Sequence, residues 1–179
     1  MKAASINDIK QELQTLPPKK TLELCLKLAR FKKENKELLS YLLFEAHNEQ
    51  GYVESIKLEM DEAFTEVSTT NWYVAKKSLR KILRSIGKYS KHTATKESEV
   101  EMIIHFCQNL QKSSIPYQKQ KVLSTLYETQ LKKLRKLVEE VHEDLQHDYQ
   151  RQIEQLQQTE NRLPVFGKIL QGFRNGKMY

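Results

Sequence analysis

WYVAKKSLRKILRSIGK, residues 72–88, decides the architecture. At about 100° of rotation per residue, Trp72, Ala75, Leu79, Ile82, Leu83 and Ile86 fall on one side of a helix, joined by Tyr89. Lys76, Lys77, Arg80, Lys81, Arg84, Lys88 and Lys91 fall together on the other. A strand would scatter both sets over its two faces, because its side chains alternate. The stretch therefore predicts a helix with a continuous core side and a continuous cationic side.

That cationic side holds the net charge of the chain. Residues 71–96 carry eight Lys and Arg and no Asp or Glu. Residues 1–70 hold 10 basic and 12 acidic side chains, and residues 97–179 hold 12 and 11, so the overall +7 rests on this one segment. A local surplus on an ordered helix is a candidate contact surface, with a merely solvated face as the alternative, whereas a scattered surplus is mostly a solubility device. The fourth helix is its opposite: seven acids lie between Glu45 and Glu66, with Lys57 as the one opposing charge.

Outward from this helix the same texture recurs. Five Gly and four Pro in 179 residues are about half of average usage or less, which suits helices joined by short turns. Ser5, with Asp8 three residues on, predicts a first helix from Ile6 to Thr15. Pro17-Pro18 ends it and opens a second, from Pro18 to Phe31. Leu22, Leu24, Cys25, Leu26, Leu28 and Ala29 make this second helix a core element in expectation. Asn35 is the expected cap of a third helix, through Leu38, Leu39, Leu42, Leu43 and Phe44. A fourth spans about 52–67, the basic helix is fifth, and a sixth runs from Thr95 to about Gln111.

Beyond Ser113-Ser114-Ile115-Pro116 the pattern changes. Tyr127, Leu131, Leu134, Val138, Val141 and Leu145 step by 4, 3, 4, 3, 4, a heptad seam. Tyr149, Ile153 and Leu156 continue it in fours, a stutter. With no Gly or Pro from 117 to 162, the spacing predicts one helix of roughly 40 residues, about 60 Å long.

The fold expected is thus all-α: about six short antiparallel helices over 1–112, helical-hairpin or solenoid-like, then one long C-terminal helix over 117–162. That helix either packs on the array or pairs with a second copy as a homodimer. Residues 163–179, with Val165, Phe166, Ile169, Leu170 and Phe173, form a docking tail. The texture resembles helical-hairpin solenoids of the HEAT or TPR kind, but the TPR spacing is absent and no family is carried over.

Little in the chain suits catalysis. No Gly-rich phosphate loop and no zinc-binding Cys/His quartet occurs. Glu139-x-x-His142 has the spacing of di-metal bundles, but no second such pair accompanies it. Glu101 and His105, one turn apart, suit a shared hydrogen bond better than a catalytic dyad. His47 and His92 fall in turns and are expected to be exposed. Cys25 and Cys107, both among apolar residues, are expected to be buried thiols. No apolar run reaches the ~18 residues of a membrane span, and no secretory leader is visible, so the reading is cytoplasmic.

The expectation is a non-enzymatic interaction or scaffold module without metal or cofactor. Lys76, Lys77, Arg80, Lys81, Arg84, Lys88 and Lys91 would meet an acidic protein surface or helix. Leu131, Leu134, Val138, Val141 and Leu145 would form an association seam. The alternative is weak, sequence-independent binding of nucleic acid through the same basic face. Missing aromatic residues on that face argue against a base-stacking platform.

Overall fold

The computed structural model describes residues 2–93 and 95–162, all helix or turn with no strand among them. The expected docking tail, 163–179, lies outside the described residues. Two compact units divide the chain, Met1–His47 and Asn48–Tyr179. The boundary falls ahead of the fourth helix, within the stretch expected to form one array over 1–112.

In the first unit, Ser5 opens α1 (Ile6–Thr15) with a full capping box. Its hydroxyl accepts from the Asp8 amide at 3.2 Å, and the Asp8 carboxylate accepts from the Ser5 amide at 3.1 Å. Pro17 and Pro18 set α2 (Pro18–Phe31), whose first residue needs no amide hydrogen. α3 (Lys33–Ser40) continues into one wide π turn at Tyr41–Glu45, closed by the Ala46 amide on the Tyr41 carbonyl. Asn35 does not cap α3. It lies inside the helix, and its amide donates to the Leu28 carbonyl at 2.9 Å, tying α3 to the end of α2.

The second helix is not a core element. Leu22, Leu28 and Phe31 are exposed, as are Leu42, Leu43 and Phe44. Cys25 is exposed too, against expectation. Tyr41 is the one described side chain of this unit that is buried. A piece of fewer than fifty residues has too little chain to cover both sides of its own helices.

The second unit holds α4 (Glu49–Thr65), α5 (Trp72–Tyr89), α6 (Lys96–Lys112), α7 (Lys121–Val138) and α8 (Glu143–Arg162). Asn48 caps α4 by accepting from the Gly51 amide at 3.0 Å, and a Cβ on Gly51 would collide with that Asn48 side chain. Asn71 caps α5 by accepting from the Tyr73 and Val74 amides at 3.0 and 3.2 Å.

The second unit is organised around α6, which meets α4, α5, α7 and α8. Val100, Met102, Ile103, Ile104, Phe106, Cys107 and Leu110 are buried over more than half of its circumference, a wide apolar side suited to a helix packed against several others. Its polar residues reach outward to neighbours. Ser98 donates to Glu49 at 2.5 Å. Glu101 accepts from Lys57 at 2.7 Å, and His105 lies 2.6 Å from Asp61. Glu101 and His105 therefore do not pair with each other, because each has a partner on α4.

The single long helix does not form. Glu139–His142 is a turn between α7 and α8, and α8 returns against α6 and α7. A straight rod would strand Tyr149, Ile153 and Leu156, all buried in this arrangement. Each buried apolar side chain contributes about 1.5–3 kcal/mol, whereas each helix hydrogen bond lost contributes about 1 kcal/mol. Burial outweighs continuity. His142 starts α8, its Nδ1 accepting weakly from the Asp144 amide at 3.4 Å, and the acids Glu143 and Asp144 suit the positive end of the helix dipole.

One polar node joins three helices inside this unit. The Gln111 side-chain amide donates to the Tyr127 hydroxyl at 2.7 Å and to the Leu156 carbonyl at 2.6 Å, and the Tyr127 hydroxyl donates to the same carbonyl at 3.3 Å. Tyr127→Phe leaves that carbonyl satisfied by Gln111. Urea denaturation is expected to show a loss of about 1 kcal/mol, the usual net value of one hydrogen bond.

Candidate functional site

Helix α5 is pinned by its inner side. Ala75, Leu79, Ile82 and Ile86 are buried against the core. At 3.6 residues per turn, this fixes which side faces water. Lys77, Arg80, Lys81, Arg84 and Lys91 are exposed, and Lys76 and Lys88 are half-buried. Of the expected core residues, Trp72 departs. It stands 42% exposed beside exposed Tyr73 and Val74. The Trp72 and Tyr73 rings meet edge-on at 6.1 Å, and the Lys77 ammonium lies 5.6 Å from the Tyr73 ring centre. The first turn of α5 precedes the full thickness of the core, and helical spacing alone does not reveal where the core ends.

The acids of α4 do not neutralise this surface. Glu54 is 2.7 Å from Lys57, which reaches on to Glu101 at 2.7 Å. Burial works to lower the Lys57 pKa, but the hydrogen bonds from Glu101 and Glu54 outweigh it, and the pKa is raised. Asp61 turns to His105 and to the Asn109 amide, both at 2.6 Å. Burial pushes its pKa up, and those two hydrogen bonds carry it below the usual value. Glu59 accepts from the Tyr89 hydroxyl at 3.2 Å, and burial with that carboxylate raises the phenol's pKa. Tyr149, beside Glu101, is pushed up to about 12 by burial first and by that carboxylate second.

Among the described residues, Lys76, Lys77, Arg80, Lys81, Arg84 and Lys91 have no carboxylate within ion-pair distance. Some lysines elsewhere in this unit do find partners, Lys96 with Glu140 at 3.0 Å and Lys133 with Glu99 at 2.6 Å, whereas Lys112, Lys121, Lys132 and Lys136 have no carboxylate within ion-pair distance among the described residues. Lys88 lies over the Tyr89 ring at 4.3 Å. Arg84 Nε donates to the Arg80 carbonyl at 3.3 Å, which lays its side chain along the helix.

The other expected residues are placed differently. Leu131, Leu134, Val138 and Val141 are buried in the unit's own core, and Leu145, past the turn, is 39% exposed. Four of the five seam residues are thus already covered. His142 is exposed and near Asp144, at 3.3 Å. His92 is half-buried rather than exposed, its Nδ1 3.0 Å from the Tyr52 hydroxyl. Cys107 is buried, as expected. Among the described residues, no helix is long and apolar enough to cross a membrane and no group of three or more His, Cys, Asp or Glu could hold a metal ion.

Sequence reading missed two grooves that border the cationic stripe, since each depends on how two helices pack side by side. One lies between α4 and α5, with Ile56, Met60 and Ile82 in its lining and acids and a lysine together at its edge. The other lies between α5 and α7 and includes Leu83, Val122 and Leu126. Compared with protein-family models, with curated proteins and with solved structures, the chain matches none.

Proposed function

We propose that this chain is a non-enzymatic helical interaction module that binds an acidic surface or helix of another protein through the outer side of α5. The observation that carries the reading is the row of cations along one side of one helix, Lys76, Lys77, Arg80, Lys81 and Arg84, none of which has a carboxylate within ion-pair distance among the described residues. Like charges one turn apart destabilise a helix by a few tenths of a kcal/mol per pair. A row of them without counter-charges is a cost that an acidic partner relieves. The stripe, rather than the seam, carries the association, because the seam is spent on the core.

Exposed Trp72 and Tyr73 beside Lys76 and Lys77 favour a second reading, a single-stranded nucleic acid stacked on those rings. The measurement that separates the two is binding at about 50 mM salt, where screening is weak, and again at about 300 mM. The protein is expected to hold a fluorescent polyglutamate chain at the lower salt and release it at the higher. Tighter retention of single-stranded or duplex DNA than of polyglutamate transfers the site to nucleic acid.

A further inference from the structure

We infer that the partner is an acidic amphipathic helix whose apolar side seats in the groove between α5 and α7. The inference rests on the cationic-stripe reading and specifies its occupant. The groove, about 460 Å³, runs alongside the stripe. Its apolar residues are Leu83 from α5 and Val122 and Leu126 from α7, one turn apart. Its hydroxyls are already spent: Thr125 donates to the Lys121 carbonyl at 2.8 Å and Thr129 to the Thr125 carbonyl at 2.6 Å. What the lining offers a partner is therefore the apolar surface of Leu83, Val122 and Leu126, the charges of Arg80 and Lys121 and the side-chain amide of Gln130, with no acid in it. Neither cation has a carboxylate partner among the described residues.

This combination selects one occupant. Phosphate backbones gain from the cations and nothing from Val122 or Leu126. A small molecule is held by enclosure of most of its surface, which a groove open along its length does not provide. A third helix fits a two-helix groove by ridges into grooves, with anchors at i, i+3 or i+4, and i+7. Acids flanking those anchors would meet Arg80 and Lys121 beside the groove and Lys77 and Arg84 on the adjoining turns. The groove between α4 and α5 is less selective, because Glu59, Glu66 and Lys81 give it mixed charge.

The test uses two synthetic peptides of about five turns and identical composition. One places leucines on a single helical side among glutamates, and the other is its shuffled isomer. Anisotropy titrations with the full chain at about 50 mM salt are expected to give at least about tenfold tighter binding of the amphipathic peptide, as anchor residues dominate helix-in-groove affinity. Thr125→Trp, which fills the groove from an exposed position, and Val122→Thr, which keeps its shape, should each cut that preference at least about fivefold. Neither should change binding of the shuffled peptide or the melting temperature. Equal binding of the two peptides overturns the groove inference and leaves the stripe reading standing. So does a Thr125→Trp protein that loses both alike. Failure of both peptides to bind overturns the two together, and DNA bound in their place reassigns the surface to nucleic acid.

Discussion

Phe106→Ala is expected to remove about 3–5 kcal/mol from the stability of the second unit, the usual cost of truncating a buried aromatic ring. Phe106 is fully buried on α6, and its ring lies 5.4 Å from that of Phe64. The cavity would open in the one helix that α4, α5, α7 and α8 all touch, so no neighbour can close it without leaving its other contacts. Domains are stable by only about 5–15 kcal/mol, so the variant should sit near its unfolding midpoint in mild urea. Leu58→Ala is the matched control: Leu58 is 65% exposed, and its loss should stay within about 0.5 kcal/mol. A Phe106→Ala loss below about 1 kcal/mol would contradict the placement of α6 at the centre.

Reversing three charges on α5, as Lys77→Glu, Arg80→Glu and Arg84→Glu together, should weaken binding of an acidic peptide at least about a hundredfold at low salt. Each exposed pair contributes up to about 1 kcal/mol. Reversal replaces that attraction by repulsion, and about 1.4 kcal/mol is a factor of ten. Stability should move the other way. The three residues are exposed and have no carboxylate to lose. The new acids at 77 and 84 would stand four residues before Lys81 and Lys88, the favourable order for a helical ion pair. Thermal melting should therefore be unchanged or slightly raised. Unchanged peptide affinity in a fully folded triple variant would remove the stripe from any binding role. A large drop in melting temperature would make it a structural element instead.

Local signals were legible wherever the chain itself satisfies its helix ends. The bounds of α1 and α2 follow from Ser5, Asp8 and the Pro17-Pro18 pair, and the cationic side of α5 follows from spacing alone. Choices made between distant segments were not legible. The turn at Glu139–His142 has no Gly or Pro to announce it, and what decides it is the burial of Tyr149, Ile153 and Leu156 against α6 and α7. His142 followed by Glu143 and Asp144 was the available hint, a capping side chain ahead of two acids. An apolar stripe shows that a helix has a face to cover, but not what covers it. Leu22, Leu28 and Cys25 therefore read as core and stand exposed, whereas the seam, which fits either packing on the array or pairing with a second copy, is interior apart from Leu145. The partners of Glu101 and His105 lie more than 40 positions away, beyond the reach of any one-turn rule. The groove beside Val122 depends on α5 and α7 meeting across an intervening helix.

The position of α6 in the chain has a consequence during synthesis. α4 and α5 leave the ribosome before it, and α7 and α8 after it. Until Phe106 and Leu110 emerge, the apolar sides of α4 and α5 have only each other to close over. A nascent chain paused after Tyr89 would thus leave part of that apolar surface open to water, because domains settle as whole units rather than helix by helix.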